Sequence, residues 1–145
     1  MAGLTVTIIT RDEVDRLEEA VASAAFADEI VIVDSGSADG TIELARRLTP
    51  RVIVRDWPGF AAQKNFAASQ ASHDWIFSLD ADERVSPALA AEIADLVAAG
   101  PRFSAYRVPR VSSYLGRWIR STDWYPDYQV RLYDRRAASW GGEYV

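Results

Sequence analysis

Asp80 and Asp82 stand one residue apart where the apolar run Trp75-Ile76-Phe77-Ser78-Leu79 stops. Side chains alternate along an extended backbone, so this spacing predicts that both carboxylates leave the strand end on the same side and converge. Such oxygen ligands suit a divalent cation of the Mg²⁺ or Mn²⁺ kind, which takes one or two carboxylates and leaves its other positions to water and substrate phosphates. Acidic pairs in turns are common and usually only solvated; the strand end is what makes this pair chemically pointed. Asp34 closes another apolar run, Glu29 to Asp34, just before Ser35-Gly36. A carboxylate there can accept from a ribose hydroxyl or a base N–H, or cap the helix that follows. Lys64 opens a helix within Gln63-Lys64-Asn65, where it reaches a diphosphate or remains solvated, and Arg11 has the same two readings.

These groups need a scaffold that gathers strand ends. Leu4 to Thr10, Glu29 to Asp34, Arg51 to Arg55 and Trp75 to Leu79 read as buried strands,. Helical spacing runs from Asp12 through Val14, Leu17, Val21 and Ala24, then over Thr41 to Leu48 and Phe60 to Ala71,. Ser86 and Pro87 predict an N-cap and first turn, with a stop at Gly100,. This alternation predicts an α/β fold with a mostly parallel sheet and helices on both faces. In such sheets ligands sit beyond the carboxyl ends of the strands, where Thr10-Arg11-Asp12, Asp34-Ser35-Gly36 and Asp80-Ala81-Asp82 would meet. From Phe103 onward the chain is rich in aromatics and arginines. Phe103 to Pro109 and Gln129 to Tyr133 read as antiparallel additions, with Tyr114 to Asp127 a long connection.

Composition narrows the function. The 145 residues are 49% hydrophobic, enough for one domain with a single core,. A net charge of −5 argues against a nucleic-acid partner, which calls for a basic surface,. The absence of cysteine excludes disulfides, thiolate catalysis and cysteine-ligated zinc, and fits a reducing cytoplasm,. His73 is the one histidine and lies in a polar turn, which makes a Ser-His-Asp triad improbable,. Neither a signal peptide nor an apolar run of membrane-spanning length is legible, so a cytoplasmic location is expected, with peripheral docking at the inner face of a membrane left open.

Val6-Thr7-Ile8-Ile9-Thr10-Arg11-Asp12-Glu13, Ile30 to Thr41, Ala62-Gln63-Lys64-Asn65-Phe66-Ala67 and Leu79-Asp80-Ala81-Asp82-Glu83 together resemble, in order, the family 2 glycosyltransferases of the GT-A fold. Gln129-Val130-Arg131-Leu132-Tyr133 is similar to a segment of the bacterial branch that builds lipopolysaccharide cores and related surface glycans. The resemblance implies metal-dependent, inverting transfer from a nucleotide-sugar donor, most plausibly a UDP-sugar, to a glycan or lipid-linked acceptor. It implies that Thr10, Arg11 and Asp12 edge the nucleotide pocket and that Asp34 contacts the uracil or ribose. Lys64 would lie near the base or phosphates, Asp80 with its neighbour Ala81 at the ribose, and Asp82 on the metal. Arg11-Asp12 stands where many relatives have Asn-Glu, and relatives continue past Trp140-Gly141-Gly142 into a His-Glu pair and further helices. Residues 1–145 are therefore expected to be one nucleotide-sugar-binding domain, either C-terminally truncated or a donor-binding core.

Glycosyl transfer also needs a carboxylate that deprotonates the acceptor hydroxyl. Asp127 is the candidate base, with Asp123 second. The aromatics between Tyr114 and Tyr128 would stack on an acceptor sugar, lie against a membrane, or simply fill the core. Two other readings compete: a non-catalytic donor-binding module, and a haloacid-dehalogenase-type phosphatase. The latter carries its Asp-x-Asp on the first strand, which here ends in Thr10-Arg11.

Overall fold

The computed structural model describes residues 3–111, 114–115 and 127–141. Four parallel strands, β1 (Leu4–Thr10), β2 (Glu29–Asp34), β3 (Arg51–Val54) and β4 (Trp75–Asp80), form one half of an eight-stranded sheet. The other half holds β5 (Arg84–Val85), β6 (Ala105–Val111), β7 (Tyr114–Leu115) and β8 (Asp127–Asp134), and the spatial order is β3-β2-β1-β4-β8-β6-β7-β5. β8 runs antiparallel to both β4 and β6, so the expected antiparallel additions are present.

The helices α1 (Leu17–Ser23), α2 (Thr41–Leu48), α3 (Phe60–Ser69) and α4 (Pro87–Ala99) divide between the two faces, and the strand alternation shows how. Val6, Ile8, Ile32, Phe77 and Leu79 point to one face and pack with Leu17 and Val21 of α1, Leu44 of α2 and Ile93 of α4. Val31 and Val33 point the other way, onto Ala67 of α3, while Ile76 on that face packs with Ala68 and Ala71. Each large aliphatic or aromatic side chain buried in this way contributes about 1.5–3 kcal/mol. α3 lies opposite α1 and α2 because the chain reverses its progress across the sheet. It runs outward from β1 to β2 to β3, then crosses back to place β4 on the other side of β1, and right-handed crossovers in opposite directions lie on opposite faces,. The switch point therefore falls between β1 and β4.

Some boundaries differ from the sequence reading, for local reasons. Helix α1 begins at Leu17, not near Asp12: Asp12 lies outside the right-handed helical region, and the loop after β1 is held by other bonds. Asp12, at φ +52°, donates its N–H to Ser37 Oγ, Glu13 to Thr41 Oγ1 and Val14 to Asp39 Oδ2. These bonds clasp the loop after β1 to the loop after β2 in place of a first helical turn. β8 begins at Asp127, which the sequence reading left in a connection, and β5 is too short to leave a periodic signature. The helix start at Ser86 is as expected: its Oγ accepts the Leu89 N–H at 3.1 Å.

Candidate donor-binding site

At the switch point, the ends of β1 and β4 face α3 and the segment leading into it across a cavity of about 520 Å³. Thr10, Arg11, Asp80, Ala81 and Asp82 line it, together with Ile9, Glu13, Ser35, Trp57, Phe60 and Gln63. Five of the eight residues assigned to nucleotide or metal binding thus line it, and Asp12, Asp34 and Lys64 are not part of its lining. The aromatic side lies toward β3, from which Trp57 and Phe60 follow in sequence; their rings meet edge to face at 4.8 Å between centroids. The acidic side lies at β4.

β4 ends at Asp80, so simple alternation does not carry Asp82 to the cavity. A turn does: the Asp80 carbonyl accepts the Glu83 N–H at 3.0 Å and the Asp80 N–H donates to Glu83 Oε1 at 2.9 Å. Asp80 and Asp82 keep 38% and 45% of their side-chain surface exposed, free to take a ligand. Asp82 lies 3.8 Å from the exposed Arg16, a pairing worth little in water,. Glu13 has its carboxyl held above the ordinary value by burial; Arg16 opposes this, and Asp82, Asp39 and Asp12 add to it. Among the described residues no three His, Cys, Asp or Glu side chains stand close enough to form a cage. Two exposed carboxylates beside an open cavity still fit a cation of the Mg²⁺ type, which draws its remaining ligands from water and phosphate,.

The remaining assigned residues are placed as follows. Asp12 is tied up in the loop clasp, its Oδ1 accepting the Ala38 N–H at 2.8 Å. Asp34 is fully buried, and its carboxylate accepts from the Gly36 and Ser37 N–H groups and the Ser37 hydroxyl; the fold-back needs Gly36 at φ +99°. It organises the turn that presents Ser35 to the cavity. Lys64 is buried behind the wall, its Nζ 4.2 Å from the Trp140 ring centroid. Burial lowers its pKa from 10.5, Asp80 and Glu83 counteract this, and Arg131 adds to it. Asp127 opens β8, and the antiparallel register puts that end of β8 at the same sheet edge as the end of β4. Asp123 and most of the aromatic segment between Tyr114 and Tyr128 lie outside the described residues.

Sequence reasoning passed over Gln63 in favour of its neighbour Lys64, yet Gln63 reaches the cavity. Thr10 Oγ1 and Gln63 Nε2 are buried without a hydrogen-bond partner among the described residues, and Arg131 Nε near Asp80 is a third such atom. Unsatisfied buried polar atoms are rare in native structures. Two of the three, Thr10 and Gln63, line the cavity. Gln63 and Arg131 both lie within motifs that carry the family resemblance, but no local pattern assigns either a role, since burial and partners decide both.

Open α/β sheets bind their ligands at such a switch point, and here carboxylates and buried polar groups gather beside it,. The chain belongs to the family described as Glycosyl transferase family 2, whose profile it matches over residues 5–143. It is 35% identical over 143 residues to an uncharacterized glycosyltransferase of Rickettsia typhi, covering 96% of this chain and 49% of that protein. It is 38% identical over 118 residues to the lipopolysaccharide core biosynthesis glycosyltransferase LpsC of Rhizobium meliloti, covering 78% and 44%. The chain thus spans about half the length, or less, of these relatives. Among solved structures it is similar to the mannosyltransferase PcManGT from Pyrobaculum calidifontis in complex with GDP-Man and Mn²⁺, at 27% identity and TM-score 0.61, over 76% of this chain and 36% of that one. Glucosyl-3-phosphoglycerate synthase from Mycobacterium tuberculosis, in complex with Mn²⁺ and UDP-Glc, shares the fold at 19% identity and TM-score 0.61, over 72% and 42%. The fold is GT-A, as the sequence motifs imply. Among the described residues no helix is long and apolar enough to cross a membrane.

Proposed function

We propose that this chain forms the donor-binding part of a metal-dependent, inverting glycosyltransferase that takes a nucleotide-sugar, most plausibly a UDP-sugar. The acceptor would be a glycan or lipid-linked molecule of the cell envelope. The observation that carries this reading is the shared cavity of Thr10, Asp80 and Asp82 at the switch point, aromatic at one side and acidic at the other. The aromatic side suits a flat base, and the carboxylates of the acidic side would hold a cation that offsets the charge of a diphosphate,. The complexes of the structural neighbours with GDP-Man or UDP-Glc and Mn²⁺, and the likeness to LpsC, support the same reading.

In this reading Asp82, with Asp80 beside it, holds a divalent cation, which when bound neutralises the negative charge that grows on the diphosphate leaving group. Asp80 and Ala81 contact the ribose, and Thr10 and Arg11 edge the nucleotide. Lys64 adds positive charge behind the phosphates, and Asp34 and Asp12 act by shaping the loops. Asp127, at the start of β8, removes the proton from the acceptor hydroxyl,. In this reading the protein works in the cytoplasm, with peripheral docking at the inner face of the membrane left open.

Calorimetric titration of UDP, with GDP as the comparison, with and without Mn²⁺ tests the reading. Binding that requires Mn²⁺, prefers UDP and disappears in Asp82→Ala supports it. Absence of binding by folded protein under every condition overturns it.

A further inference from the structure

We propose that Arg131 is a positioning residue of the donor site, delivered by a β-bulge to hold the acidic turn in its binding geometry; the inference rests on the function proposed above. β6 and β8 pair in one register through Tyr106 and Leu132 and in another from Arg107 and Val130 onward. One residue of β8, Arg131, is therefore left without a cross-strand partner. Bulges of this kind re-aim a side chain beside a functional site. The pairing of β8 with β4 also stops at Phe77 and Leu132. Just beyond, Arg131 replaces the ladder with its side chain, donating from one guanidinium nitrogen to the Ser78 carbonyl at 3.3 Å.

The other terminal nitrogen donates to Glu83 Oε2 at 2.9 Å and Gln129 Oε1 at 3.0 Å, and lies 3.5 Å from Asp80 Oδ2. Arg131 and Glu83 are 2% and 1% exposed, so this ion pair is in the interior. Glu83 in turn accepts the Asp80 N–H and donates its own N–H to the Asp80 carbonyl. The residues between these two bonds are Ala81 and Asp82, both on the cavity wall. A chain of contacts thus leads from a bulged strand outside the parallel half-sheet to the two carboxylates expected to meet a cation.

A core that needed only stability would be served as well by apolar side chains of similar volume, since a buried ion pair often adds nothing over them. Arg131 also keeps its Nε buried without a partner. Both features fit a group retained for geometry. A planar fork that engages several acceptors in fixed directions is the property that lysine lacks.

The test uses the full chain as wild type, Arg131→Lys, and the double variant Arg131→Met with Glu83→Met, which removes both charges together and is the variant best able to fold. UDP affinity is measured with and without Mn²⁺, and amide exchange of Asp80 and Glu83 is followed without metal. The expected result is at least a tenfold loss, in both variants, of the affinity gained from Mn²⁺, with a smaller loss of metal-free UDP affinity because the same turn carries the ribose contacts Asp80 and Ala81. In Arg131→Lys, which keeps Glu83, the Asp80 and Glu83 amides should exchange about tenfold faster while those of Val6 and Ile8 stay protected. Arg131→Lys protein with wild-type Mn²⁺ gain and wild-type exchange, or a folded double variant that retains the gain, overturns the inference and leaves the proposed function standing. Wild-type protein that shows no metal-dependent UDP binding overturns the proposed function, and the exchange measurement then decides separately whether the pair orders the turn.

Discussion

Replacing Glu83 with glutamine removes a charge and almost no volume, which isolates the electrostatics of the buried pair. The carboxylate lies 2.9 Å from Arg131, and both side chains are almost fully buried. Breaking a buried pair by removing one partner costs about 3–5 kcal/mol, because the other charge stays behind uncompensated. Two contacts moderate the loss here. Asp80 remains 3.5 Å from the guanidinium, and the new amide oxygen can still accept the Asp80 N–H. We therefore expect the low end of the range, about 3 kcal/mol. An unfolding entropy of roughly 2.1 cal/mol/K per residue over 145 residues is about 0.3 kcal/mol/K, so the melting temperature should fall by about 10 °C,. Thermal unfolding followed by circular dichroism at pH 7 in the presence of EDTA measures this without interference from bound cation. Adding Arg131→Met to Glu83→Gln should recover most of the loss, because the stranded charge is then gone. A single-variant drop of less than about 3 °C, or a double variant worse than either single one, would refute the reasoning that Glu83 is what compensates Arg131.

Lys64→Met should leave stability at pH 7 unchanged or raised while lowering UDP affinity about tenfold or more, the scale of one contact to a charged group. The sign follows from burial, which lowers the Lys64 pKa below 10.5: between the folded value and 10.5 the unfolded chain binds more protons, so this residue makes stability rise with pH through that window,. Urea midpoints across the alkaline range should lose that rise in the variant, and an unchanged slope would show that Lys64 is not desolvated. Ser86→Ala should cost about 1 kcal/mol through loss of the bond to the Leu89 N–H, with UDP affinity unaltered,. A shift in affinity there would mean that α4 is coupled to the site.

Much of the architecture is local, which is why it can be read from residue order. Val6 and Ile8 alternating with Thr5 and Thr7, the turn glycines after Asp34, and Ser86-Pro87 each dictate a strand, a turn or a helix start from short-range sterics and hydrogen bonding,. The rhythm of strands and helices then implies a parallel sheet, and the parallel sheet implies a site at its carboxyl edge, where Thr10, Asp80 and Asp82 do line one cavity. What residue order does not carry is which polar side chain ends up inside and against what. Gln63 and Lys64 are neighbours on one helix, but only packing sends Gln63 to the cavity and Lys64 under the Trp140 ring. Asp34 and Asp12 look like ligand contacts in a linear reading, and only the folded-back turns reveal that both also accept backbone N–H groups that hold the loops. Arg131 is the extreme case. Its role depends on a one-residue slip between β6 and β8 and on a glutamate 48 positions away, both products of long-range pairing that no local pattern encodes.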